Sequence, residues 1–159
     1  MFGLFKSPPF HDHKLGELVR SRGLWCGLLT VDAGVSAPLT LSSTRTEPHA
    51  KALAAAREVA QAFASWRPAI EQALFEHYEP YAEAVTAGEL PSPREALPRT
   101  AVPGDVWSHV SLVYVSVMPL SGLLTTELGY ATAWDDEHTL GARFQSGNFI
   151  ELCGSVLRP

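Results

Sequence analysis

Asp135-Asp136-Glu137-His138 is the densest run of titratable side chains in the chain. Carboxylates and an imidazole supply acid and base near neutral pH, and the same groups ligate divalent ions. Neighbouring residues point in different directions, so only pairs such as Asp135 with Glu137, or Asp136 with His138, can share a target. The competing reading is a turn in which one Asp caps backbone N–H groups and the other side chains stay solvated. His109 joins this cluster at one sheet end if the runs 107–118 and 124–134 pair directly. Asp136, Glu137, His138 and His109 are therefore the set for a small metal-assisted or acid–base hydrolase. Trp134, Asp135, Asp136, Glu137 and His138 are the set for binding a partner.

His11-Asp12-His13 places two imidazoles two residues apart, on one side of an extended segment. Two ligands do not make a zinc or copper site, and no CxxC or HExxH accompanies them, so His11 and His13 are weak metal candidates and no cofactor is expected. Cys26 and Cys153 each precede a glycine in an apolar run and read as reduced, buried small hydrophobes, with a disulfide or redox pair as the alternative. No GxSxG, GxGxxG or P-loop is present, which removes the enzyme classes built on those motifs.

These residues need a scaffold. Residues 1–14 read as an irregular arm that docks through Phe2, Phe5 and Phe10. Leu24 to Val31 and Leu39-Thr40-Leu41 form a hairpin across the Asp32-Ala33-Gly34 turn. Thr46 fits an N-cap, and apolar residues from Leu53 to Trp66 recur every three or four positions, which predicts a helix. Pro68 ends or kinks it, and a second helix carries Ile70, Leu74, Tyr78, Tyr81 and Val85, bent at Pro80. Leu90 to Gly104 is a proline-rich crossover with one short helical turn at Ser92-Pro93-Arg94-Glu95. Four strands follow from Val106 onward, turning at Pro119-Leu120-Ser121-Gly122, at the acidic run and at Ser146-Gly147-Asn148. The fold class is α+β: an antiparallel sheet of about six strands with two main helices on one face, in one domain spanning 1–159.

The chain has 159 residues, a net charge of −5 and a mean hydropathy of +0.03. The acidity argues against phosphate backbones and anionic lipid, so neither nucleic acid nor a membrane is an expected partner. Residues 101–159 hold two arginines against six carboxylates, a negative surface suited to a basic protein partner. The apolar start, Met1-Phe2-Gly3-Leu4-Phe5, meets Ser7-Pro8-Pro9 before a signal-peptide core can form, so a cytoplasmic location is expected.

The pattern Phe10-x-x-x-x-Leu15-Gly16-Glu17-Leu18, then Trp25-x-Gly27, then Trp134-Asp135-x-Glu137-His138-x-Leu140-Gly141 resembles uncharacterised bacterial protein families of unknown function. In them a strand ending in Trp-Asp leads into Glu-His and a glycine-bearing return strand. The resemblance implies a binding role of the toxin-immunity or effector-binding kind, and it carries over no catalytic residue. Two readings stand: a non-enzymatic protein-binding module, and the small hydrolase.

Overall fold

A computed structural model describes residues 7–154 and 156–159. Phe2 and Phe5 of the expected arm lie outside the described residues. Phe10 belongs to the sheet. Phe10–Asp12 (β1) pairs antiparallel with Gly16–Ser21 (β2), and the order continues through Leu24–Asp32 (β3) and Val35–Leu41 (β4). After the helical segment come Val110–Leu120 (β5), Leu123–Thr132 (β6), Thr139–Gln145 (β7) and Asn148–Cys153 (β8). The eight strands lie side by side in chain order, and every neighbouring pair is antiparallel except β4 and β5, which run parallel. The fold is α+β, but its sheet is mixed and has eight strands where about six antiparallel ones were expected. The extra pair is β1–β2, whose single buried core contribution within the strands, Leu18, leaves too little apolar pattern to announce a strand.

Among the described residues there are two helical segments, though not the two expected. Ala50–Thr86 (α1) is one continuous helix of 37 residues that runs through both Pro68 and Pro80. Each proline removes one backbone donor, leaving the carbonyls of Ala64 and Glu76 without their usual partner. Pro68, Ala64, Pro80 and Glu76 are all exposed, so water can take those carbonyls, while Phe63, Ile70, Leu74 and Tyr78 hold the opposite stripe in the core. Packing of the buried stripe outweighs the local break. The N-cap is His49, whose Nδ1 accepts from Lys51 N at 3.3 Å, rather than Thr46. The second segment is a 3-10 helix over Pro103–His109, so the strand expected from Val106 begins only at Val110. Asp105 caps it by accepting from the backbone of Ala101 and Val102 at 2.9 and 3.2 Å. Ser92 to Glu95 form no helical turn.

One sheet face carries Leu39, Leu41, Val115, Val117, Leu128, Tyr130 and Leu140 against α1, with Trp25 and Trp134 among the largest fully buried side chains. The other face is a polar ladder. Tyr114 lies over Gly129, where a Cβ would come within 2.1 Å of its ring, and Glu127 lies over Gly141. Glu127 accepts from the Tyr114 hydroxyl at 2.6 Å and from Arg143 Nε at 2.5 Å, and Arg143 also donates to Glu151 at 2.8 Å. Burial and this carboxylate together push the Tyr114 phenol up. Cys26 and Cys153 are free and half-buried, short of the full burial expected of them.

Asp12 anchors the first hairpin. Its Oδ1 accepts from Lys14 N and Leu15 N at 2.9 Å each, and its Oδ2 takes the Arg57 guanidinium of α1. The Arg57 hydrogen bonds hold this buried carboxyl far below the ordinary range, against the opposing effect of burial. The exposed position of Pro68 sets a test of the helix argument. Pro68→Ala restores one helical hydrogen bond and stabilises the protein by about 2 kcal/mol, after allowing for the freer unfolded chain. Urea denaturation with an unchanged m-value measures it.

Candidate functional site

The β6–β7 connection is built around Asp135. Its backbone N–H donates to Thr132 Oγ1 at 3.2 Å, and its buried Oδ1 accepts from the backbone of Glu137 and His138 at 3.2 Å each. The carboxylate therefore closes the turn upon itself. His138 Nδ1 sits 2.9 and 2.8 Å from the two Asp135 carboxylate oxygens. An ionised carboxylate only accepts, so Nδ1 carries the proton and Nε2 is the nitrogen left free.

Asp136 turns the other way and accepts from Arg94 N at 3.1 Å, which pins the proline-rich connector to the turn. Glu137 is exposed. The Trp134 side chain does not reach the surface. Its side chain is fully buried, edge-on to Tyr78 at 5.4 Å, and its Nε1 donates to His77 Nδ1 at 3.1 Å. Trp134 holds the turn against α1.

The expected residues fall into two hollows rather than one. The first, about 470 Å³, has the 135–138 turn as its floor and is walled by Tyr81 of α1 and by Leu90, Pro91, Ser92 and Arg94 of the connector. The Tyr81 hydroxyl is pushed up by burial and then by Asp135, Asp136 and Glu137, and Arg94 is the one arginine in the same lining. The second, about 400 Å³, contains His109, Glu95 and Ser111, with Asp136 and Arg94 as the wall shared with the first. His109 lines only the second and His138 only the first. His109 is instead tied in by its backbone, its carbonyl accepting from Ala133 N at 2.8 Å.

His11 and His13 are exposed, with His11 Nε2 lying 3.8 Å from the Glu17 carboxylate across the first hairpin. Asp12, between them, is engaged with Arg57. Among the described residues no three His, Cys, Asp or Glu side chains gather as a metal-binding group, and no helix is long and apolar enough to cross a membrane.

A model of the family described as a domain of unknown function, DUF6985, matches residues 16–156. The chain belongs to the DUF6985 family. The match takes in β2 through β8, both hollows and the acidic turn, and ends beyond the last strand. No curated protein and no solved structure matches the chain.

Sequence reading missed Tyr81, Ser92 and Arg94 in the walls of the first hollow, and His77, which lines neither hollow but accepts from Trp134. A lone histidine amid the glutamates of α1 carries no spacing signal, and only the fold sets it beside Trp134 and the Asp135–His138 pair. Burial holds its imidazole below the ordinary value, opposed by Asp135 and reinforced by His138. A histidine with a depressed folded-state pKa contributes stability that is present above its unfolded value, near 6.5, and lost as pH falls through the folded one. Protonation would also set Nδ1–H against the Trp134 N–H. Stability is therefore expected to decline below pH 6.5. His77→Asn, which keeps an acceptor near the Nδ1 position, flattens that decline, as measured by urea denaturation at pH 7.5 and 5.5.

Proposed function

We propose that this protein is a binding module that receives a basic protein segment in the hollow floored by the 135–138 turn. The observation that carries this reading is the arrangement of charge. Glu127 and Glu151 are matched by Arg143 on the polar sheet face, and Glu71 accepts from Trp107 at 2.6 Å. Asp136 and Glu137 form no ion pair among the described residues, and both line a concavity with Tyr81. A Lys or Arg side chain entering there meets two carboxylates and an aromatic ring, with Leu90 and Pro91 to cover its aliphatic stem. The acidic sequence run supports a rim of this kind on the loop side of the sheet rather than on the sheet surface itself.

A hydrolase remains the second reading because of one observation: both carboxylate oxygens of Asp135 hold His138 Nδ1, the way a carboxylate orients a general base. Ser92 lines the same hollow. The separation of His109 from His138 counts against a four-residue catalytic set.

A decalysine peptide titrated into ¹⁵N-labelled protein separates the readings. It is expected to shift the amides of residues 135–138 and Tyr81 in a saturable, salt-sensitive way. Asp136→Asn with Glu137→Gln weakens that binding about tenfold. Shifts confined to the glutamates of α1, or a double variant that binds unchanged, would overturn the binding reading. Cleavage of p-nitrophenyl acetate above the background rate that is lost in His138→Ala would establish the hydrolase instead.

A further inference from the structure

Away from the acidic turn, Tyr130 presents a chemical anomaly. Its side chain is 2% exposed, and its hydroxyl is buried without a hydrogen-bond partner among the described residues. A buried hydroxyl left unpaired costs about 1–3 kcal/mol, so its place in a sheet core calls for an acceptor. Burial pushes this phenol up, while the charge of Arg67 acts in the opposite direction, which places the guanidinium within electrostatic reach.

Tyr130 and Arg67 line the same cavity of about 200 Å³, set between α1, the β3–β4 turn and the start of β5. Its apolar walls are Val35, Phe63, Val110, Leu112 and Trp107. Arg67 lies over the Trp107 ring with its guanidinium carbon 4.8 Å from the centroid. That ring is fixed in turn, edge-on to Tyr130 at 6.1 Å and to Phe63 at 6.3 Å, with its Nε1 donating to Glu71 at 2.6 Å. Asp32 is the one acid in the lining. It stands 4.0 Å from Arg67 and already accepts from Ala33 N at 2.7 Å, so its hold on the guanidinium is loose and can be displaced.

We infer that this cavity binds a small apolar monocarboxylate, one carboxylate oxygen taking the Tyr130 hydroxyl and the other the Arg67 guanidinium, with the hydrocarbon body among Phe63, Leu112 and Val110. The volume lies below the roughly 300 Å³ at which drug-sized sites begin, which limits the ligand to a single ring or a short branched chain. One cation and one hydroxyl match a carboxylate, whereas a phosphate would leave oxygens facing apolar walls. The Tyr130 hydroxyl is closed off in the ligand-free structure, so the proposed ligand reaches it only when the half-exposed Arg67 side chain swings aside.

Benzoate is the probe, with benzamide and benzylamine as controls of the same shape. The expected result is a saturable shift of the Trp107 indole N–H resonance with benzoate, weakened about tenfold in both Tyr130→Phe and Arg67→Met, and absent with benzamide. Without benzoate, Tyr130→Phe is expected to melt at or above the wild-type temperature, because it removes only an unpartnered hydroxyl. The inference is overturned if benzoate leaves Trp107 unmoved, if benzylamine binds more tightly than benzoate, or if the ligand-free Tyr130→Phe variant melts more than about 4 °C lower.

Discussion

Leu39, Thr40 and Leu41 run parallel to Val115, Ser116 and Val117, and this single parallel junction governs the layout of the molecule. Every other strand pair is joined by a local connection, but a parallel pair obliges the chain to leave one end of the sheet and re-enter at the other. The crossover α1 spans about 55 Å, while β5, the longest strand, spans about 36 Å. The helix therefore outruns the sheet. Its last turns extend past the edge where β6 gives way to β7, and the proline-rich connector must double back to reach the 3-10 helix. The hollow over the acidic turn is the space enclosed by that overshoot, with Tyr81 on the outgoing chain and Leu90 to Arg94 on the returning one.

Charge is handled differently on the two sides of this scaffold. Asp12, Glu127 and Asp135 are buried or nearly so, and each is matched to a cation, to an imidazole or to backbone N–H groups. Such acids fix geometry: Asp12 holds the first hairpin to α1, Glu127 joins three strands across the open face, and Asp135 shapes the turn. Asp136 and Glu137 have no such structural partner of opposite charge among the described residues, so their field extends outward. The formal charge of −5 thus overstates the acidity of the sheet and understates that of the loop end.

What could be read in the sequence follows from which forces are local. The β3–β4 hairpin and the four final strands carry alternation and turn residues that act over a few positions, and they appear in the expected order, although β5 starts at Val110 rather than Val106 and β8 ends at Cys153. The continuity of α1 was hidden because the cost of Pro68 and Pro80 is local, whereas the burial of Ile70, Leu74 and Tyr78 that outweighs it is tertiary. The parallel pairing had no signature, since β4 and β5 would look the same in either direction. The acidic turn was legible as composition, but the use of Asp135 as its cap and of Trp134 as core required coordinates. His77, Arg67 and Tyr130 were illegible for a related reason: their surroundings are assembled from separate elements.

The strand order has a last consequence for the two thiols. Cys26 lies on β3 and Cys153 on β8, five strand spacings apart, or about 24 Å along the sheet. A disulfide needs its Cα atoms within about 7 Å. Oxidation therefore cannot lock this fold from within: each sulfur meets an oxidant alone.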